Sequence, residues 1–365
     1  MDNWVLTFYI ITFLLSILLS GIYLTSWDRH YDPNMLLVFM LVPIVDLGYM
    51  MLARAQSLDA ALFGNQITYI GGCYLLPFIM FSTFKLCNFG YNIRINSAIV
   101  LFNTLIYLSS LTIGVLPIFY KTVDFRIEDG VIVLVKTYGP IHTVFYAMMI
   151  VYFMVSLGVS LYTLFNKADT SNKIVFRLLL TQFITISAFF GGRMITKKVE
   201  FVPLAYVFDQ LVYLTIANKM CLYDVMDTGI ESLVQSGDTG LVSFDFKYRY
   251  LASNKTARNI FPDLFNVRVD TSIEGYKPLE DTILNWIKEY EKNPSNNKFL
   301  YKRDERNYFV EINILYNGKH KSGYQLFVKD NTREQEYIAM LNKYNSNLQT
   351  KLDEIYSQRE NKETE

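Results

Sequence analysis

The sequence predicts a polytopic α-helical membrane bundle of seven transmembrane helices, followed by a small α+β domain and a C-terminal coiled-coil helix. Three observations predict this fold class. Apolar segments of membrane-spanning length fill the first part of the 365-residue chain. Near Gly240 the pattern changes to short alternating segments that are typical of strands. After Asp330 a long polar helix carries one narrow apolar stripe.

The composition is that of a chain with two environments. Hydrophobic residues make up 52% of the chain and charged residues still make up 19%, which indicates a membrane part and a water-exposed part. The formal net charge is zero, so charge gives no reason to expect nucleic acid binding. Three cysteines without a CxxC pair indicate buried or inert thiols: Cys73, Cys87 and Cys221.

Seven segments are long and apolar enough to be candidate spans. They run over Trp4–Thr25, Met35–Ala53, Ile67–Phe84, Ser97–Phe119, Ile141–Phe165, Ile174–Phe190 and Phe201–Ala217. Between the fourth and fifth segments, an Asp-Gly pair beside a β-branched run predicts a short hairpin that caps one end of the bundle. The start of the chain has no basic region and is expected to be a retained helix, not a cleaved signal peptide.

Seven spans place the two termini on opposite sides of a membrane. The charges of the loops conflict, but the uncharged start of the first span favours a cytoplasmic C-terminus. We therefore expect a multi-pass protein of the inner or plasma membrane whose soluble domain is cytoplasmic. The last span continues as a helix into polar sequence without Pro or Gly, so Phe201–Gln235 is the covalent route for any signal between the two parts.

Polar groups inside predicted spans are candidates for ligand or signal binding because they are costly in a membrane. Asp46 lies in the second span, Gln182 in the sixth and Asp209 midway along the seventh. One hypothesis is that Asp46 and Asp209 line a polar cavity whose ligand or proton changes the helix packing. The alternative is that these groups hydrogen-bond between helices and hold the bundle together. The histidines are far apart in sequence and are expected to be solvated or structural: His30, His142 and His320.

The soluble part is predicted to contain two strands, then two helices, then three strands. The strands are predicted at Leu241–Asp245, Tyr248–Ala252, Lys298–Arg303, Tyr308–Tyr316 and Tyr324–Lys329. A short helix over Asn254–Phe261 opens with a Ser or Asn cap, and Leu279–Lys292 is an amphipathic helix. This order predicts an antiparallel sheet that is covered by helices on one face.

The C-terminal helix is predicted to begin with a capping box at Thr332-x-x-Gln335. Its apolar residues recur at spacings of four and three, namely Tyr337, Leu341, Tyr344, Leu348 and Ile355. Such a stripe on a polar helix favours the seam of a parallel homodimer. The alternative is a helix that packs back on its own domain.

Several motifs of the membrane part are similar to those of the seven-helix N-terminal sensor region of bacterial histidine kinases and diguanylate cyclases. The motifs are Asp46–Tyr49, Gln66–Gly71 with Pro77, Tyr138–Pro140 and Val202–Ala205. In this family an acidic residue stands where Asp46 does, and a basic or polar residue followed by Tyr-x-Gly stands where Gln66–Gly71 does. The resemblance therefore adds Gln66 and Tyr69 to the ligand or signal candidates.

The soluble part resembles a PAS domain, the sensor module that usually follows this membrane region. Asn254-x-x-Ala257 is similar to the opening of that domain. Asp330-x-Thr332 is similar to its closing motif, whose carboxylate and hydroxyl tie the last strand to the output helix. A covalent flavin would need a cysteine between Gly240 and Asp330, and the sequence has none there. Since His320 falls in a predicted hairpin turn, an axial haem ligand is not expected, and we expect no cofactor.

Taken together, residues 1–220 are predicted to form the transmembrane sensor domain, 221–239 a signalling helix linker, 240–332 the PAS-like domain and 333–365 the output helix. Two interpretations of function stay open. The chain is either a receptor that is read by a partner kinase, cyclase or response regulator of a two-component system, or the N-terminal portion of a sensor histidine kinase or diguanylate cyclase. No His-Glu-Leu-Arg-x-Pro helix and no Gly-Gly-Asp/Glu-Glu-Phe motif occurs in the sequence, so no catalytic residue is predicted. A transporter is less favoured because no internal repeat is present.

Overall fold

The computed structural model describes residues 3–26, 32–90, 92–128, 131–167, 170–192, 199–217, 239–317 and 320–363. The chain divides into two compact units, Met1–Asp224 and Val225–Glu365. The first unit contains apolar helices and a hairpin, and the second contains a five-stranded sheet.

Six helices among the described residues are long and apolar enough to cross a membrane. They are α1 (Asn3–Thr25), α2 (Pro33–Arg54), α3 (Leu58–Leu86), α4 (Ile93–Ser110), α5 (Pro140–Asn166) and α6 (Asn172–Gly191). A seventh apolar helix, α7 (Val202–Ala217), is shorter. This pattern is that of a multi-pass helical membrane protein.

Two of the predicted span boundaries were wrong, and local sequence explains both. Helix α3 begins at Leu58, earlier than predicted, because Ser57 caps it by accepting a hydrogen bond of 3.3 Å from the Ala60 N–H. Helix α4 ends at Ser110, not at Phe119. Gly114, at a φ of +89°, lies in a turn that cannot continue the helix, and Pro117 follows it.

Two helices of the first unit contain a wider π-helical turn. The turn in α3 covers Gly71–Leu75, and the turn in α6 covers Ser187–Gly191 at its C-terminal end. Such turns inside α-helices occur mostly as single turns and frequently at functional sites.

The predicted hairpin between α4 and α5 is confirmed. Strand β1 (Tyr120–Glu128) pairs antiparallel with β2 (Val131–Tyr138), with Tyr120 opposite Tyr138 and Ile127 opposite Ile132. The hairpin packs on α2 and α3 at the end of the bundle where α5 and α7 begin. The predicted Asp129-Gly130 turn lies outside the described residues.

Helix α7 is described up to Ala217. Residues 218–238 lie outside the described part of the chain, so the predicted continuation to Gln235 and the predicted linker over 221–239 stay predictions.

The second unit contains one antiparallel sheet that agrees with the five strands predicted from the sequence. Its strands are β3 (Thr239–Asp245), β4 (Tyr250–Ser253), β5 (Lys298–Arg303), β6 (Arg306–Asn317) and β7 (His320–Asp330). The spatial order is β4-β3-β7-β6-β5, which places the first and last strands side by side in the middle. Between β4 and β5 lie α8 (Lys255–Ile260) and α9, which comprises Lys277–Leu279, a π-turn over Glu280–Leu284, and Asn285–Lys292.

One face of this sheet forms the core of the unit with the helices. Alternate residues of β6 and β7, such as Ile312 and Leu326, are buried with Ile283 and Ile287 of α9, whereas β3 is buried along its length. This alternation is what the period of a strand requires when only one face is covered.

The C-terminal helix α10 (Thr332–Glu363) does not begin with the predicted capping box. Thr332 is already inside the helix, whose first backbone hydrogen bond runs from Gln335 N–H to the Asn331 carbonyl oxygen at 3.0 Å. The Thr332 hydroxyl instead accepts a bond of 3.0 Å from the Asn307 N–H of β6. The Thr332 hydroxyl therefore accepts from Asn307, which is distant in sequence, and not from Gln335 as the capping box predicted.

Candidate ligand-binding site in the helical bundle

The hairpin end of the bundle is fixed where β2 passes into α5. Gly139 donates a backbone hydrogen bond of 2.8 Å to the Phe119 carbonyl oxygen, and Pro140 occupies the first turn of α5. A Cβ atom at Gly139 would lie 2.3 Å from the Ile118 carbonyl oxygen, so only glycine allows this close approach.

Polar side chains tie the hairpin to α3. The Lys136 ammonium donates a hydrogen bond of 2.8 Å to Asn65 Oδ1. The Asn65 amide also reaches the Tyr120 hydroxyl at 3.4 Å, and that hydroxyl is hydrogen-bonded to the hydroxyl of Tyr69. Burial raises the pKa of Tyr120 well above its usual range, so its hydroxyl stays protonated and neutral.

Aromatic rings surround this network. His142 is buried and stacks on Tyr138, with ring centroids 3.9 Å apart and planes at 6°. Tyr69 meets Phe119 and Phe145 edge to face at 4.8 and 5.2 Å. Such pairs add stability beyond the area that they bury and hold the rings in defined positions.

Two cavities lie beside these rings, and they share four lining residues: Tyr49, Leu52, Lys136 and Glu200. The aromatic cavity has a volume of about 260 Å³. Its other walls are Asn65, Thr68, Tyr69, Gly72, His142, Phe145, Tyr146, Phe189, Phe190, Val202 and Tyr206. The aliphatic cavity has a volume of about 330 Å³. Its other walls are Val5, Tyr9, Ala53, Val131, Ile132, Val133, Leu134, Tyr138 and Val199.

The lining of the two cavities combines apolar and polar side chains. Most of the walls are apolar or aromatic, while a lysine, a glutamate and an asparagine supply a few polar contacts. The walls come from the hairpin and from several helices, among them α2, α3, α5 and the start of α7. A bound molecule would therefore contact elements that are distant in sequence.

The sequence candidates in the spans fall into different places. Tyr69 lines the aromatic cavity, whereas Gln66 lies outside its lining and donates a bond of 3.3 Å to the Leu111 carbonyl oxygen. Asp209 and Gln182 line a third, much smaller cavity between α5, α6 and α7. Asp46 is fully buried and is not among the residues that line this small cavity.

None of the three cavities described here is lined by both carboxyl groups, and the hypothesis of a shared polar cavity stays a prediction. Tyr206 of α7 is near enough to both Asp46 and Asp209 to interact electrostatically with each. On another face of α7, Gln210 donates a bond of 3.0 Å to the Ser20 hydroxyl of α1. The alternative interpretation, hydrogen bonds between helices, describes Gln210, Asp209 (which accepts from Thr185 of α6) and Gln182 (which donates to Ser160 of α5).

Sequence reasoning missed the polar residues of the hairpin end, namely Asn65, Lys136 and Glu200. His142, by contrast, was expected to be solvated or structural, and its burial and its stacking on Tyr138 agree with a structural role. The Tyr138–Pro140 motif was the one available signal, because it fixes where β2 meets α5. The pairing of β1 with β2 then brings Lys136 to α3, and no local pattern predicts that contact.

In the second unit, the predicted PAS opening residues connect a helix to the central strand. Asn254 Oδ1 accepts bonds of 2.9 Å from both the Ala257 N–H and the Leu241 N–H. Its amide donates to the Thr239 carbonyl oxygen at 2.9 Å. Ala257 is fully buried against Gly240, where an added Cβ atom would lie 3.1 Å from the Ala257 Cα.

The closing residues join three elements at the start of α10. The Thr332 hydroxyl donates a bond of 2.6 Å to Asp330 Oδ1, and the Thr332 N–H reaches the same oxygen at 2.9 Å. These bonds hold the pKa of Asp330 below its usual range because they stabilise the charged form. Together with the Asn307 bond, they fix the direction in which α10 leaves the sheet.

The apolar stripe of α10 is exposed in the single chain. Tyr337, Leu341, Tyr344 and Leu348 keep between 41% and 62% of their surfaces accessible. This exposure disagrees with a helix packed back on its own domain over these residues. The side chain of Ile355 lies outside the described part of the helix.

Comparison of the chain with models of known protein families and with curated proteins finds no match.

Proposed function

We propose that this chain is a membrane receptor whose seven-helix bundle binds a small molecule under the β1–β2 hairpin and passes the signal through α7 to a PAS-like unit. The observation that carries the proposal is the position of α7. Its first residues Val202 and Tyr206, with the preceding Glu200, line the aromatic cavity. The same helix runs to Ala217 at the other end of the bundle, on the path of the chain toward the second unit.

The packing of α7 is suited to such a role. Asp209 is held by Thr185 of α6 through a hydrogen bond of 2.6 Å, and Gln210 is held by Ser20 of α1. A ligand changes an equilibrium only as far as it binds one packing better than another. A molecule that contacts Tyr206 changes the equilibrium if it binds more tightly to the packing with these two hydrogen bonds than to a packing without them.

The second unit supports the PAS-like part of the proposal. A five-stranded antiparallel sheet with the first and last strands in the middle, and with helices between the second and third strands, has the architecture expected of that domain. The bonds of Asp330 and Thr332 give α10 a fixed start. The exposed stripe of α10 supports a homodimer as the form that a partner kinase, cyclase or response regulator would read.

The proposal is tested by placing a small adduct in the aromatic cavity and observing the second unit. Thr68→Cys puts a thiol in the cavity lining, and methyl methanethiosulfonate converts it to a mixed disulfide that adds one methylthio group there and releases methanesulfinate. The background carries serine at the three natural cysteines. Hydrogen exchange of the full chain in nanodiscs is expected to change in β3 and at the start of α10 on modification.

Leu105→Cys is the matched control, because Leu105 is 60% exposed on α4 and lines neither cavity. Its modification should leave exchange in the second unit unchanged. Equal exchange patterns for the two modified proteins would contradict the proposal.

A further inference from the structure

The β1–β2 hairpin has a free edge along β2. Among the described residues, the two strands form a sheet of their own, so β2 has a partner strand on one side only. In an antiparallel pair, every other residue of a strand points its N–H and C=O away from the partner. Within the described part of the chain, no backbone group of Val131–Val135 bonds to an element other than β1. The outer edge of β2 therefore presents a row of unpaired donors and acceptors.

The aliphatic cavity lies beside this edge. Four consecutive residues of β2, Val131–Leu134, line it, whereas no described residue of β1 does. Successive side chains of a strand point to opposite faces of the sheet. A cavity on one face of the hairpin would thus be lined by alternate residues of β2 together with residues of β1. The cavity therefore borders β2 along the edge that is turned away from β1.

The rest of the cavity wall is mostly apolar. Val5 of α1, Leu52 and Ala53 of α2, and Val199 before α7 contribute to it. Val5 and Val199 are buried in one cluster with Val131. These side chains cannot pair with the backbone of β2, and polar groups that stay unpaired beside an apolar wall are costly.

A few polar groups lie in the same lining. Lys136, Glu200 and Tyr9 line the cavity, and the Tyr9 hydroxyl accepts a hydrogen bond of 2.9 Å from the Glu200 N–H. The lining therefore contains one positive and one negative side chain, which match either charged terminus of a peptide.

We propose that the molecule bound under the hairpin is a short extended peptide with apolar side chains, which adds to the free edge of β2 as a third strand. An extended backbone supplies N–H and C=O groups at the spacing of the edge, and its side chains occupy the apolar walls. Four residues of a strand span about 13 Å, which suits a peptide of about three or four residues. The cavity volume of about 330 Å³ lies in the range of small-ligand sites.

This inference rests on the function proposed above, because it names the class of molecule that binds there. Glu200 lines both cavities and precedes the first turn of α7. A peptide on the edge of β2 would therefore contact the segment that leads into the helix proposed to carry the signal.

The test is hydrogen exchange and thermal stability of the full chain in nanodiscs with the tripeptide Val-Val-Val. A peptide that adds as a strand should slow exchange of the β2 amides and raise the melting temperature in a saturable way. The control peptide carries N-methyl groups on both peptide bonds, which keeps the side chains and the charges but removes the amide hydrogens. We expect it to bind roughly tenfold more weakly, equivalent to about 1.4 kcal/mol, the loss of about one net hydrogen bond. Equal binding of the two peptides, or no binding of Val-Val-Val, would overturn the proposal.

Variants tie the effect to the cavity. Ala53→Phe fills the cavity from its α2 wall and should abolish the protection of β2 by Val-Val-Val. Ala98→Phe makes the same change at an exposed position of α4 that lines neither cavity, and it should keep the wild-type response. Equal responses of the two variants would contradict the proposal, and the pair of peptides decides the question if Ala53→Phe does not fold.

The outcomes separate this inference from the proposed function. If Val-Val-Val protects β2 but leaves exchange in β3 and at the start of α10 unchanged, the peptide site is supported and transmission of the signal is contradicted. If modified Thr68→Cys changes exchange in β3 but Val-Val-Val does not bind, the peptide is overturned and the receptor function stands.

Discussion

Lys136 on β2 donates a hydrogen bond of 2.8 Å to Asn65 on α3, and this contact joins the hairpin to the bundle beside both of the larger cavities. Its ammonium also lies 5.3 Å from the centroid of the Tyr120 ring, in cation–π range. The Lys136 side chain therefore connects the β1–β2 hairpin to α3, which lines the aromatic cavity.

Replacing Lys136 should loosen the hairpin. Lys136→Met removes a charged hydrogen bond worth about 1.5–3 kcal/mol and keeps most of the apolar stem. We expect faster hydrogen exchange of the β1 and β2 amides in the full chain. Lys121→Met changes the same residue type at an exposed position of the same hairpin and should have no effect. Equal exchange in the two variants would show that this contact does not hold the hairpin.

The wall of the aromatic cavity should not tolerate a methyl group at Gly72. A Cβ atom there would lie 2.4 Å from Phe145 Cζ, so the ring must move. Overpacking of this kind costs about 1–3 kcal/mol, and we expect Gly72→Ala to lower the melting temperature. Gly158 is the matched control, because nothing lies within 4 Å of its added Cβ atom. Gly158→Ala should leave the melting temperature unchanged or raise it, since alanine favours the helix by about 0.5–1 kcal/mol. Similar melting temperatures would contradict the tight contact at Gly72.

The stability of the start of α10 should depend on the Thr332 hydroxyl and on pH. Thr332→Val removes bonds to Asp330 and to the Asn307 N–H, a loss of about 1–2 kcal/mol. Because the folded pKa of Asp330 lies below its unfolded value, its contribution is present above about pH 4 and is lost as the pH falls through the folded pKa.

The stability that Thr332→Val removes at the start of α10 should therefore be largest at neutral pH and smaller below pH 4. Hydrogen exchange of β6 and the first turn of α10, corrected for the intrinsic effect of pH, measures it. Thr350→Val removes a hydroxyl that bonds only within α10, and it should leave hydrogen exchange of β6 and the first turn of α10 unchanged. A difference that stays constant with pH would exclude a contribution from Asp330.

The stripe of α10 should lie at a dimer seam. In a parallel coiled coil, the two copies of Leu348 face each other at a distance that a disulfide can bridge, whereas the two copies of Ser346 lie on opposite outer faces. We expect Leu348→Cys to form disulfide-linked dimers in membranes under mild oxidation and Ser346→Cys not to, both in a background without the natural cysteines. Equal cross-linking of the two positions would contradict a parallel seam.

The sequence predicted the elements better than the contacts between them. Alternation and helical periodicity are local, so the strands at Leu241–Asp245 and Lys298–Arg303 and the capping role of Asn254 could be predicted. The roles of Thr332 and Lys136 could not, because their partners Asn307 and Asn65 are distant in sequence.

Buried polar residues in the spans could be listed from the sequence but not paired. Asp46 and Asp209 have the same chemistry, yet only Asp209 lies beside Gln182. Which face of a helix turns toward which neighbour depends on packing of the whole bundle, and hydropathy carries little of that information.

The two π-turns of the first unit both border the aromatic cavity, through Gly72 of α3 and through Phe189 and Phe190 of α6. A π-turn holds one residue more than the α-helix around it. A shift of the turn along the helix would rotate each residue that it passed by about 100°, the angle per residue of an α-helix. The cavity wall thus contains two places where such a shift would turn a side chain toward the site or away from it without unfolding either helix.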